Sequence, residues 1–351
     1  MPDNVTITLD QLIDLCIEKE ASDIHFGEGG GLALRVHGKI AFLENAAPLT
    51  KEQAEGMAFA MLSDPKEQER FKRIREIDFS YIHKNGVPFR VNLFYRSGRI
   101  AAVMRMIGRH APSMEELGIP PGMQTLLSYD RGLILVTGTA GSGKSTSMQA
   151  MLNFLNERFV KHILTIENPI ETIFENKKSI FSQREVGKDT LSFLNGLQSA
   201  VHEDANVVMV SDLKSMEVAD AVLELAETGH LVIAPMSTSG ATQTLSRFLS
   251  FFPLVQQAQI RERVADNLRG ALSQTLVPRA DGKGRIGVFE FLTMNKGIEG
   301  LIRRGELRQL HAAMDSAVDE GMLTLDNYAA QLAENGLITT ESLSQFKQEE
   351  E

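Results

Sequence analysis

The residues best equipped for chemistry form one run, Gly138-Thr139-Ala140-Gly141-Ser142-Gly143-Lys144-Ser145, which meets G-x-x-x-x-G-K-[ST] at every constrained position. The pattern has a phosphate-binding logic. Glycines let successive backbone N–H groups curl around a β-phosphate, and the N-terminus of a following helix adds partial positive charge. The Lys144 ammonium can then reach the β- and γ-phosphates, and the Ser145 hydroxyl can ligate Mg²⁺. With Thr146 next in line, these residues are the expected contacts to ATP.

Such a loop works only where a strand delivers it and a helix follows, and both are legible. The apolar run LILV at 133–136 precedes it, and Met148, Met151, Leu152 and Leu155 recur behind it at helical spacing. Further buried runs at 162–166, 207–210 and 230–234 alternate with helical stretches, the pattern of a parallel sheet covered on both faces. The fold class is therefore α/β, with a RecA-like P-loop core expected over 123–296 and a helical extension over 297–351. In that extension Gly336 stops one helix before Thr339 or Thr340 starts the next. Upstream, a small α+β (PAS-like) domain is expected over 1–108. It opens with a capping box, Thr8 with Gln11, and a helix to about Glu20. Strands follow at 32–36, 78–82, 89–94 and 100–106, with a loop at Gly27–Gly31 between helix and strand. Pro112 and the segment Gly118–Gly122 mark an interdomain linker over 109–122. The terminal Glu349-Glu350-Glu351 is expected to be a solvated tail.

The bulk composition excludes several classes. The 351 residues suffice for two cores, and 43% apolar with 23% charged residues describes a globular chain. No run of about eighteen apolar residues is present to span a bilayer. The start, MPDNVTITLD, has neither the basic flank nor the apolar stretch of a secretory leader. The expected location is cytoplasmic. The single cysteine, Cys16, lies among Leu9, Leu12, Ile13 and Ile17 at helical spacing and reads as a small core residue. A net charge of −10 argues against a nucleic-acid partner.

Several segments, in order, resemble the secretion ATPase superfamily, and among them PilT-like retraction motors of type IV pili. They are Glu20-Ala21-Ser22-Asp23-Ile24-His25, Glu167-Asn168-Pro169-Ile170-Glu171, Gln183-Arg184-Glu185-Val186-Gly187, Asn206 to Asp212, Ala226-Glu227-Thr228-Gly229-His230-Leu231, and Ser273-Gln274-Thr275-Leu276. Extension and type II secretion relatives usually add an N-terminal domain and a four-cysteine zinc insert. With one cysteine in 351 residues, the retraction branch is the one expected.

The resemblance implies roles. Glu171 would be the water-activating base, with Glu167 the second choice, because phosphoryl transfer needs a positioned water more than covalent chemistry. Asp212 would take the Walker B position near the metal, and His230 would sense the γ-phosphate. Arg90 and Arg105 would reach the nucleotide from the other domain or from a neighbouring subunit. Partners implied are five further copies in a homohexamer, an inner-membrane pilus platform protein that would hold the ring peripherally at the inner membrane, and a paralogous pilus ATPase.

Departures from the family pattern cluster in these same motifs. Asp212 stands for a glutamate, Ser211 for the glycine before it, and Lys214 for an arginine. Ser237 replaces the second histidine of the His box, with Pro235 interrupting that strand. Gln198 and His202 replace arginines, Asp204-Ala205-Asn206 replaces D-P-D, and Gly297-Ile298-Glu299-Gly300-Leu301-Ile302 replaces A-I-R-N-L-I. Their combined expectation is weakened hydrolysis with nucleotide binding retained. The alternative to a retraction motor is then a PilU-like accessory ring, gated by nucleotide but hydrolysing little.

Overall fold

The computed structural model describes residues 7–36, 39–43, 46–107 and 112–346. The chain forms two compact units. One is Met1–His110 with Pro169–Ile173, and the other is Ala111–Asn168 with Phe174–Glu351. The expected acidic tail, Glu349–Glu351, residue 108 at the end of the expected N-terminal domain, and residues 109–111 of the expected linker lie outside the described residues.

The first unit runs α1 (Leu9–Glu18), β1 (Asp23–Gly27), β2 (Ala33–Val36), β3 (Lys39–Phe42), α2 (Lys51–Met61), α3 (Pro65–Ile74), β4 (Glu76–Ile82), β5 (Pro88–Arg96) and β6 (Arg99–Met106). The Thr8–Gln11 capping box starts α1 as the sequence indicates, and Cys16 is fully buried among Leu12, Ile13 and Ile24. Burial pushes the Cys16 thiol up to about 11, so it stays a packing group. The six strands form an antiparallel sheet ordered β3-β2-β1-β6-β5-β4. Alternate residues of β5 and β6, among them Phe89, Val91, Leu93 and Met104, share one core with α1, α2 and Phe71 of α3. One expectation needs correction: the glycine-rich turn joins two strands, because Asp23–Gly27 is itself a strand. Five residues with a histidine at the centre give too short an apolar alternation to read as one.

The second unit continues with α4 (Gly122–Leu127), β7 (Gly132–Thr137), α5 (Lys144–Arg158), β8 (His162–Glu167), β9 (Ile180–Glu185), α6 (Phe193–Ala200), β10 (Val207–Val210), α7 (Met216–Glu227) and β11 (Leu231–Met236). It ends with α8 (Ala241–Ser250), α9 (Leu254–Asn267), β12 (Leu268–Pro278), β13 (Arg285–Thr293), α10 (Lys296–Arg304), α11 (Leu310–Asp315), α12 (Leu325–Glu334) and α13 (Thr340–Ser344). The sheet order is β13-β12-β7-β11-β10-β8-β9, parallel except for the β12–β13 hairpin. Leu133, Leu135, Val208, Val210, Val232 and Ala234 face one core, while Ile134, Val136, Val207, Met209, Leu231 and Ile233 face the other. That is why these strands read as unbroken apolar runs: pleating sends neighbours to opposite faces, and both faces are covered. Residues expected in a linker take part here. Met114 and Ile119 are buried in the core beneath α5, and the Tyr328 hydroxyl donates to the Gly118 carbonyl at 3.0 Å.

Candidate functional site

Strand β7 is buried over its whole length and ends at Thr137, which hands the chain to the loop 138–143. Gly138, Gly141 and Gly143 take φ of +148°, +78° and +91°, values an L side chain rarely adopts. At Gly138 space adds its own demand, since a Cβ there would lie 2.3 Å from the Gln274 carbonyl oxygen. Helix α5 then starts at Lys144, so its first N–H groups open into the loop. The Lys144 ammonium donates to the carbonyls of Gly138 and Thr139 at 2.7 and 2.9 Å. Burial holds its pKa below the ordinary lysine value, against the opposing pull of Asp212.

Parallel register decides which residues join this loop. Met236 pairs with Thr137, so Ser237 leaves β11 at the edge where the loop leaves β7. Val210 ends β10 at the same edge, and one cavity is lined by Lys144, Ser211, Asp212, Pro235, Ser237 and Arg247. Asp212 pairs with Lys214 at 2.8 Å. The Ser211 hydroxyl accepts from the Asn168 N–H at 3.2 Å, tying the end of β10 to the acidic segment after β8. Pro235 does not break β11. The Met236 carbonyl accepts from Gly138 N–H, so Met236 faces β7 and its neighbour Pro235 faces β10. Pairing with β10 has already ended at Met209 opposite Ile233, and the donor that proline lacks has no partner to lose there.

His230 belongs elsewhere, which corrects its expected role. It precedes Leu231, which pairs with Gly132 at the start of β7, and the Gly132 N–H donates to the His230 carbonyl. It therefore sits at the sheet edge opposite the phosphate loop of its own unit. Its ring is buried, with Nδ1 3.1 Å from the Leu225 carbonyl, an acceptor that makes Nδ1 the protonated nitrogen. The departures also divide. Ser211, Asp212, Lys214, Pro235 and Ser237 share the Lys144 cavity. Gln198 and His202 are exposed at the end of α6, and Asp204–Asn206 leads into the start of β10. The altered 297–302 segment still forms α10, with Ile298, Leu301 and Ile302 buried.

Glu167 ends β8 and is 4% exposed, accepting from the Thr165 hydroxyl at 2.6 Å and from Gln183 Nε2 at 3.2 Å. Glu171 lies in the Pro169–Ile173 segment that belongs to the first unit, where Arg90 of β5 donates to it at 3.2 Å. Both side chains are more than one-third exposed. Arg105 donates through Nε to buried Asp23 at 2.8 Å, and Arg35 pairs with the same carboxylate at 3.3 Å. Burial would raise the Asp23 pKa, but bonds from Ser22 and Arg105 hold it below the ordinary range.

Residues the sequence reading did not assign complete the second unit's site. Arg247 adds a cation to the Lys144 cavity. A separate cavity of about 480 Å³ flanks Gly143 and Thr146, walled by Leu276, Ile286, Phe289 and Tyr328 with Arg279 and Arg285 at its rim. It has the volume and apolar lining of a small-molecule site. The apolar residues of β12 and β13 supply Leu276, Ile286 and Phe289, as an ordinary buried hairpin would, and Tyr328 comes from α12, so no spacing in sequence joins these walls.

The type II/IV secretion system protein family model matches residues 3–344. The chain belongs to that family. Over 332 residues it is 36% identical to the type IV pilus retraction ATPase PilT of Pseudomonas aeruginosa, covering 95% of this chain and 96% of that one. It is 36% identical over 318 residues to a twitching motility protein of Neisseria gonorrhoeae, covering 91% and 84% of the two chains. The type IV pilus ATPase PilU of Pseudomonas aeruginosa matches at 34% over 332 residues, 95% and 86% of the two chains. The crystal structure of the pilus retraction motor PilT with bound ADP superposes with a TM-score of 0.90 at 37% identity, covering 98% of both chains. Like its relatives in this family, the chain is a secretion-type ATPase with an N-terminal domain and a RecA-like nucleotide domain. Among the described residues no helix is long and apolar enough to cross a membrane.

Proposed function

We propose that this chain is an ATP-hydrolysing motor subunit of a type IV pilus machine, working in retraction. What supports the reading most directly is the intact phosphate loop, joined by parallel register to the Asp212–Ser237 cavity, in a chain 36% identical to PilT along 95% of its length. The loop N–H groups grip the β-phosphate. Lys144 exchanges two loop carbonyls for phosphate oxygens, and the purine and ribose enter the apolar cavity beside Gly143. Ser145 and Asp212 are oxygen donors suited to Mg²⁺, which needs few protein ligands when phosphates supply the rest. They are the residues that would hold it, and when bound it neutralises phosphate charge. Glu171, half-exposed and oriented by Arg90, is the base for the attacking water, and Arg90 and Arg105 supply charge to the nucleotide. Glu167, bonded on both sides and buried, orients its surroundings. The subunit acts as a homohexamer in the cytoplasm, peripheral to the inner membrane, on a pilus platform protein and beside a paralogous ATPase.

The second reading, an accessory ring that hydrolyses little, draws on Asp212 held by Lys214 and on a serine where the strand meets the nucleotide edge. Steady-state ATPase measurements on the assembled protein, with Lys144→Ala as control, separate the two. Turnover that Lys144→Ala abolishes supports the motor. Tight ATP binding without turnover supports the accessory ring, and unchanged ATP affinity in Lys144→Ala overturns the phosphate-loop assignment.

A further inference from the structure

We propose that Gln274 is a positioning residue for the phosphate loop, aiming one of its backbone N–H groups from beneath. The proposal rests on the reading of residues 138–145 as a nucleotide grip. Gln274 follows Ser273, whose register partner is Thr137, so β12 carries it directly under the loop. It is 4% exposed, and its Nε2 donates to the Ser142 carbonyl at 2.7 Å. Two further loop residues are shaped around it. Gly138 must lack a Cβ because the Gln274 carbonyl oxygen occupies that space, and a Cβ at Gly143 would lie 3.1 Å from Gln274 Nε2.

The consequence follows from peptide geometry. The Ser142 carbonyl and the Gly143 N–H belong to one planar trans unit and point in opposite directions. Drawing that carbonyl toward β12 turns the Gly143 N–H away from β12, and the φ of +91° at Gly143 accommodates the turn. The amide orientation is determined as well. A flipped Gln274 would set Oε1 against the Ser142 oxygen, acceptor against acceptor. Gln274 Oε1 and Ser142 Oγ, both buried, have no hydrogen-bond partner among the described residues, so the donor to Ser142 is the one bond that orients this side chain.

The test uses the full chain. Gln274→Met keeps the length and removes the donor, and Gln274→Glu keeps the shape but puts an acceptor against an acceptor. ADP and ATP affinities, thermal midpoints with and without ADP, and KM and kcat are measured for parent and variants. Gln274→Met should weaken ADP and ATP alike by about tenfold, the size of one buried neutral hydrogen bond, and Gln274→Glu should weaken them further. The nucleotide-free midpoint should fall by a few degrees for the lost bond, and the ADP-induced rise should shrink as well. KM should climb with kcat little changed, because the loop grips the phosphates equally before and during reaction. Parent-like affinity in Gln274→Met overturns the proposal, and so does a lowered nucleotide-free midpoint with unchanged affinity in the folded protein. If Gln274→Met does not fold, Gln274→Asn, whose amide falls about 1.5 Å short, makes the same comparison. A parent that binds neither ADP nor ATP would refute the nucleotide-grip reading itself.

Discussion

His230→Ala should cost stability and leave nucleotide recognition intact. From His230 to Ser237 the chain advances seven positions along and beyond β11. At about 3.3 Å per residue this separates the imidazole from the nucleotide edge by roughly 23 Å. Even a full charge acting over that span through a water-like medium is worth about 0.2 kcal/mol, less than a factor of 1.5 in affinity. The local cost is larger. Truncation deletes the Nδ1–H bond to the Leu225 carbonyl and opens space under the turn after α7, for on the order of 1–3 kcal/mol. In a domain of this size that lowers the thermal midpoint by about 2–10 °C. The assay pairs scanning calorimetry with fluorescent-nucleotide titrations of ATP and ADP. A variant that keeps its midpoint but loses tenfold in ATP affinity relative to ADP would refute the argument from register.

Three other perturbations have expected outcomes. Glu171→Gln should retain ATP while hydrolysis falls by about 10² or more, since an amide cannot take the water's proton, whereas Glu167→Gln should mainly lower the urea midpoint; single-turnover rates showing the reverse would exchange their roles. Asp212→Glu with Ser237→His should raise kcat several-fold at nearly constant ATP Kd, and a double variant slower than the parent would mean that the cavity has adapted to the shorter acid. Burial raises the Glu290 pKa above its ordinary 4.5, so its contribution to stability is present below that value and lost as pH rises through the folded-state pKa. Glu290→Gln should therefore lose less stability between pH 5 and 8 than the parent by urea unfolding, and identical losses would sink the assignment.

The sequence by itself determined the elements whose chemistry is local. The G-x-x-x-x-G-K-[ST] spacing located the loop because backbone curvature and a helix start are properties of consecutive residues. Continuous apolar runs announced a two-faced parallel sheet because pleating leaves no polar side. The Thr8–Gln11 box set the start of α1 for the same reason, two side chains three apart closing on one turn. What depended on register could not be read this way. Whether His230 or Ser237 meets the phosphate loop turns on which end of β11 lies beside the end of β7, and six residues of strand put the two at opposite edges. Gln198 and His202 looked gathered with Asp212 along the chain, yet strand β10 runs between them, and the fold sets them apart. Gln274 stands 132 residues after the carbonyl it holds. Only the adjacency of β12 to β7 in the folded sheet makes them neighbours, because a hydrogen bond depends on distance in space and leaves no spacing in sequence.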